Sequence, residues 1–328
     1  MNKLFSSAFF KATSFLFVFF VSTWVLASQQ ISSQLLIEKM LYASRMVNYS
    51  GLVTFERSSR IKSAEILHLT NGSLSFSEVM HLDGPPGKFS VLTDNDNCFT
   101  DSVRSDFVDS QLLVNQINLE HIKQSYSFEV SRAIDKSPIR VAGRDAMVML
   151  IRPKDQDRLP IRLAIDEETG LILRAELFDL AGKALERFQF VDLRVGGQLD
   201  LMTIPSTAAK IEDLCNQRLV MPYDNNWRFS WLPANFKLRK LHKNSKSGQL
   251  TMVFFDGLAV FSIIVESPDI SSDLPTFELI DGGTSVFSAK VEAKNNIVNI
   301  SVVGEIPMAT AKKIAYSAEY SSDTDKSP

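Results

Sequence analysis

Between Ile161 and Leu193, apolar and polar residues alternate in three short runs separated by turn-forming clusters. Leu173, Ala175 and Leu177 share one parity, and Arg174 and Glu176 the other. That is the period of a strand with one buried face. Asp166 to Gly170 and Asp179 to Lys183 supply the turns, so the chain must run back and forth as an antiparallel meander. The acids Asp166, Glu167 and Glu168 read here as a solvated hairpin turn. The same pattern extends upstream through Gly51 to Glu56, Ala64 to Thr70 and Leu74 to Leu82, with Asn71-Gly72 as a hairpin signal. Further strands are expected at Phe89 to Thr93, Tyr126 to Ala133 and Arg140 to Ile151. A sheet of about ten strands must curl or be covered. One helix is predicted over Ser33 to Val47, with Ile37, Met40, Leu41, Ser44 and Val47 on one face, and it is the natural cover.

A second unit begins near Trp227. It holds the runs LTMVFFDGLAVFSIIVES, SVFSAKVEA and NIVNISVVGE, then a helix over Ala309 to Ala318 with Pro307 placed in its first turn. The fold class is therefore α+β in two domains. A large curved antiparallel sheet, an unclosed barrel covered by helices, spans 28–205. Residues 206–224 form a linker, read in part as helix. A smaller sheet-plus-helix domain spans 225–320, and 321–328 form a disordered tail.

The first residues obey different rules. Lys3 and Lys11 precede and flank an apolar run from Ser14 to Leu26, and no acid appears before Glu38. Val25 and Ala27 are spaced for signal peptidase, so 1–27 reads as a secretory signal peptide and the product as exported. Cleavage removes two basic residues and no acid from a chain of net charge −3. The resulting acidic product argues against nucleic acid as a partner. Cys98 and Cys215 do not make a disulfide framework, and pairing and isolated thiols both stay open. A monomer and a homo-oligomer also stay open.

Chemistry is hard to find. His68, His81, His121 and His242 lack zinc-site spacing, and Gly84 to Ser90 (GPPGKFS) has the wrong spacing and two prolines too many for a phosphate loop. No nucleophile–base pair stands out, so the chain is read as a non-enzyme without cofactor or metal. What remains is apolar surface. Leu163, Ile165, Leu173, Leu177, Phe188 and Phe190 share one face of the meander. Two readings stand side by side: an ordinary core under the helix, and a cavity that accepts acyl chains.

Six stretches together carry a resemblance: LLIEKMLYASRMVNYSGLVTFERSS, HLDGPPG, VAGRDAMVMLIRPKDQDRLPIRLAIDEETGLILRAELFD, WLPANFKL, FFDGLAVFSIIVE and VVGEIPMATAKKIA. In their order and spacing the chain resembles the RseB/MucB family, periplasmic regulators of the sigma-E envelope stress response. The resemblance implies a large domain similar to the LolA and LppX lipoprotein carriers, with an apolar cavity, and a separate small domain. It implies binding to the periplasmic domain of the anti-sigma factor RseA, protection of that protein from DegS cleavage, and release by lipopolysaccharide or another acyl-chain ligand. Trp231, Phe254, Phe255, Asp256 and Phe261 are the partner-binding candidates. A lipid or lipoprotein carrier of the LolA type is the alternative.

Overall fold

The computed structural model describes residues 32–85, 87–94, 119–134, 137–204, 227–266, 275–293 and 296–320. The signal-peptide segment, both cysteines, the linker and the tail lie outside the described residues.

Helix α1 (Ser33–Met46) is followed by β1 (Tyr49–Arg57), β2 (Arg60–Thr70), β3 (Leu74–His81) and β4 (Lys88–Asp94). A short helix α2 (Leu119–Ser125) leads to β5 (Tyr126–Ser131), β6 (Ala133–Ile134), β7 (Ser137–Val141) and β8 (Arg144–Pro153). The meander of the sequence follows as β9 (Ile161–Asp166), β10 (Ile172–Phe178) and β11 (Ala184–Val195). All pair antiparallel in the order β4-β3-β2-β1-β11-β10-β9-β8-β7-β6, with β5 also on β8. The two ends of the segment thus meet in the middle, where Val53 faces Phe190 and Phe55 faces Phe188. The sheet is unclosed. Its helical cover is modest: α1, α2 and a 3₁₀ turn at Gly197–Leu201 are the helical elements described on it.

Helix α1 turns Leu36, Ile37, Met40 and Ala43 inward. Ala43 packs with Val53, Phe55, Ile66, Phe188 and Phe190 in one apolar cluster. Burying each large side chain there contributes about 1.5–3 kcal/mol. Polar contacts fix how the helix lies: the Thr70 hydroxyl donates to the Arg45 carbonyl at 2.7 Å, and Lys39 Nζ donates to the Glu167 carbonyl at 2.5 Å. The β9–β10 turn passes close beneath it at Gly170, whose φ is +87° and where a Cβ would lie 2.8 Å from the Lys39 carbonyl oxygen.

That turn corrects one sequence expectation. Glu167 and Glu168 are exposed, but Asp166 is 1% exposed. Its carboxylate accepts from Arg144 Nε and Nη2, both at 2.9 Å, and from the Thr169 amide at 2.9 Å. Burial works to raise the Asp166 pKa, yet the Arg144 and Thr169 bonds outweigh it and hold the carboxyl below its ordinary value. A folded-state pKa below the unfolded one adds stability above the unfolded value, and that stability is lost as pH falls through the folded value. Asp166→Asn is therefore expected to cost about 2 kcal/mol at neutral pH and to flatten the acid limb of a stability–pH profile measured by urea unfolding. A fully buried pair would cost more. The Arg144 side chain is 23% exposed, which limits the loss.

The second unit contains β12 (Trp227–Phe229), β13 (Lys237–Lys243), β14 (Leu250–Phe255), β15 (Val260–Glu266), β16 (Phe277–Asp281), β17 (Thr284–Ala293), β18 (Asn296–Gly304), α3 (Met308–Tyr316) and β19 (Ala318–Tyr320). Six strands form a sheet in the order β13-β14-β15-β18-β17-β16, and β12 pairs with β19 as a ribbon. Ala311, Ile314 and Ala315 of α3 are fully buried with Phe287, Ile300 and Val302. Pro307 is not inside the first turn but caps it, its carbonyl accepting from Thr310 and Ala311 at 2.9 and 3.1 Å. The helix also ends sooner than expected, because Ala318 pairs with Phe229 in the ribbon.

Candidate functional site: the joint between the two sheets

The β8–β9 connection reaches out of the large sheet and carries Arg158, which is 0% exposed. Its Nε donates to Asp256 Oδ2 at 2.5 Å, Nη1 donates to Asp155 and Nη2 to the Ala234 carbonyl. The guanidinium also lies over the Phe236 ring, 4.7 Å from its centroid. Asp256, likewise 0% exposed, sits in the β14–β15 hairpin. Its Oδ1 accepts from the Leu258 and Ala259 amides at 2.9 and 2.8 Å, which shapes that turn. Its Oδ2 accepts from Arg158 and from the Tyr126 hydroxyl at 3.0 Å. Arg158 and Tyr126 belong to the large unit and Asp256 to the small one, so one carboxylate ties both together. Asn235 Nδ2 donates to Ser125 Oγ at 2.9 Å, and Thr310 Oγ1 donates to Asp157 Oδ1 at 3.2 Å, widening the same joint.

The buried charges Arg158 and Asp256 are paired with each other. Burial works against the Arg158 charge, but Asp256 more than offsets it and keeps the guanidinium firmly protonated. Burial and the Asp256 charge push the Tyr126 phenol well above its ordinary value, so it remains a donor. The constellation suits mechanical coupling rather than proton transfer, which would require a group poised to change charge.

A second contact lies at the β16–β17 turn. Asp281 accepts from Ser58 Oγ at 2.8 Å and from Arg60 Nη2 at 3.0 and 3.1 Å. The Gly282 amide donates to Ser58 Oγ at 2.9 Å, and the Gly283 amide donates to Glu186 Oε1 at 2.8 Å. Beside it, β16 leaves Phe277, Leu279 and Ile280 exposed, and Ile61 follows Arg60 on β2 at 65% exposed.

The residues singled out from sequence fall in three places. Phe188 and Phe190 pack edge to face at 5.5 Å in the cluster under α1. Leu163 and Ile165 are buried on β9 opposite Met149 and Met147. Leu173 sits at a register shift between Ile172 and Arg174 and packs with Val141, Ala146 and Ala164. Leu177 is half-buried against the second contact, where a Cβ on Gly283 would strike it. In the small unit, Phe254 and Phe261 stack at 5.1 Å inside the core, and Phe255 is 3% exposed. Trp231 packs on that core beneath Lys313, 3.7 Å from its ring centroid. Of the whole set, Asp256 alone crosses the joint. Arg158, Tyr126 and Asp281 were not singled out. The signal for Arg158 was faint: one basic residue inside PKDQDRLP, a stretch rich in turn formers.

Among the described residues no helix is long and apolar enough to cross a membrane, and no group of three His, Cys, Asp or Glu side chains could hold a metal. The family model described as the MucB/RseB N-terminal domain matches residues 32–208, and that of the MucB/RseB C-terminal domain matches residues 221–319. The chain belongs to the MucB/RseB family. It is 28% identical over 313 residues to the sigma factor AlgU regulatory protein MucB of Pseudomonas aeruginosa, covering 89% of this chain and 92% of that one. It is 25% identical over 309 residues to the sigma-E factor regulatory protein RseB of Haemophilus influenzae, covering 90% and 94%. The crystal structure of MucB in complex with MucA(peri) shares its fold, with a TM-score of 0.68, 24% identity and coverage of 89% and 100%. Both MucB/RseB domains therefore stand in this chain, and the joint lies between them.

Proposed function

We propose that this chain is an exported, non-enzymatic regulator of the sigma-E type. It binds the periplasmic domain of a membrane anti-sigma factor and blocks that protein's first proteolytic cut by DegS. Lipopolysaccharide or another acyl-chain ligand releases it. The observation that carries this reading is the Arg158–Asp256 joint, which holds the two family domains as one body, as a partner spanning both would need. Support comes also from the relatives, whose names are those of sigma-factor regulators, and from MucB having been crystallised with MucA(peri).

The partner-binding candidates Phe254, Phe255, Asp256 and Phe261 are buried, so in this reading they shape the partner's seat rather than touch it. The seat is assigned to the exposed apolar residues beside the second contact, Phe277, Leu279, Ile280 and Ile61. The acyl chain is assigned to the apolar face under α1, around Phe188 and Phe190. Each methylene buried there contributes about 0.8 kcal/mol, so two methylenes shift an equilibrium about tenfold. By linkage, a ligand that prefers the partner-free form weakens partner binding by the same factor.

The test is a pull-down of the exported protein with the periplasmic segment of its own anti-sigma factor, repeated with lipopolysaccharide. Capture that lipopolysaccharide abolishes is the expected result. Lipid uptake without any capture would sink the regulator reading and favour a carrier.

A further inference from the structure

The face of the large sheet turned away from α1 carries a charged row. Arg162, Glu176, Arg187 and Glu56 face one another across β9, β10, β11 and β1. Arg174 stands two residues from Glu176 on β10, on the same face, opposite Gln189. Glu176 is 2% exposed beneath these arginines. Its Oε2 accepts from Arg162 Nε at 2.7 Å and its Oε1 from Arg187 Nε at 3.0 Å. Arg174 Nε donates to Gln189 Oε1 at 3.0 Å. All three guanidinium groups are thus held by their Nε edge. Among the described residues the terminal nitrogens of Arg162 and Arg174 have no hydrogen-bond acceptor, and Arg187 reaches Glu56 only at 3.6 Å.

We propose that Arg162, Arg174 and Arg187 form a binding site for a phosphoryl group on the outer face of the large sheet. Neighbouring strands lie about 4.8 Å apart; Arg162 and Arg187 flank Glu176, and Arg174 stands one step along β10 on the same face, so the three long side chains share one patch of surface. A carboxylate has two oxygens, and Glu176 gives one to each of two arginines. A phosphoryl group offers three oxygens and matches three guanidinium forks. The cluster also gains from an anion. Arg174 makes no ion pair of its own; burial disfavours its charge, Glu176 offsets part of that, and Arg187 and Arg162 add to it. The buried Glu176 fixes the two flanking groups in advance, so little ordering remains on binding. This site stands apart from the partner reading and does not depend on it.

The phosphoryl group has two sources, a free phosphate and a lipid headgroup, and the probes separate them. Inorganic phosphate is titrated calorimetrically into the purified protein. Flotation is measured with vesicles of phosphatidylcholine, with and without phosphatidic acid. Arg174→Gln leaves both Glu176 ion pairs in place, so the fold is kept. It is expected to weaken binding of whichever probe binds by at least about tenfold, with Arg174→Lys intermediate because it keeps the charge and loses the fork. Phosphate heat without flotation assigns a soluble phosphorylated ligand, and flotation that needs phosphatidic acid assigns a headgroup. Wild-type protein that binds neither probe, or binding that Arg174→Gln leaves unchanged, overturns the proposal.

Discussion

Arg158→Ala is expected to lower the stability of the folded chain by about 3–5 kcal/mol, because it strands a buried carboxylate. Asp256 would keep the Tyr126 hydroxyl and the Leu258 and Ala259 amides, but not its counter-charge. Replacing both partners, Arg158→Met with Asp256→Leu, is expected to recover most of that loss, since the desolvation of two charges disappears along with their attraction. Arg158→Lys falls between, because an ammonium cannot serve Asp256, Asp155 and the Ala234 carbonyl in one plane. Urea unfolding followed by tryptophan fluorescence reads this from one side of the joint, Trp227 and Trp231 both lying in the small unit. A single-mutant loss below about 1 kcal/mol, the range of an exposed pair, would show that the joint is not the buried coupling described. Partner capture by the double variant then separates stability from orientation, since it restores the first and removes the fixed link that sets the second.

The strands were legible because alternation is a local property: a half-buried strand must place every second residue in the core. The meander from Ile161 to Leu193 follows that rule with its turns where Asp and Gly predict them. Pairing partners far along the chain were not legible. Nothing in the pattern says that β1 will lie beside β11, because any two half-buried strands offer the same apolar stripe. Bulges escaped for the same reason. The shift at Leu173 moves one leucine to a different set of neighbours without changing the alternation around it. Charged residues were the least legible. Asp166 reads as a turn acid and Arg158 as a loop cation until tertiary contacts bury them, and Arg158 finds Asp256 only 98 residues away. Phe254 and Phe261 drew notice as aromatic residues within a family motif, yet such residues most often serve as core, which is where they lie.

Gly282→Val is expected to detach the β16–β17 turn from the large sheet while leaving both sheets folded, at a cost of about 2–3 kcal/mol. Gly282 has φ +58°, where a β-branched residue pays about 1–2 kcal/mol before any contact is counted. Its Cβ would also lie 2.7 Å from Arg57 Cγ and 2.8 Å from Glu186 Cγ, beside the Arg57–Glu186 ion pair. Relief requires lifting the turn, which breaks the Gly282 amide bond to Ser58 and the Gly283 amide bond to Glu186. Asp281→Ala provides the contrast. The Arg60–Asp281 pair is 66% and 38% exposed, so its loss is expected to cost under about 1 kcal/mol. The close fit of a glycine turn, rather than the visible ion pair, is then what holds this second contact. With the turn lifted, the Arg158 joint is the remaining tie among the described residues, and unfolding is expected to split into two transitions as the units lose their coupling. Amide hydrogen exchange resolves the result, with faster exchange at position 282 and at Gly283 and unchanged protection within β9–β11. One transition at wild-type stability would place the coupling wholly at Arg158 and leave the turn a passive neighbour.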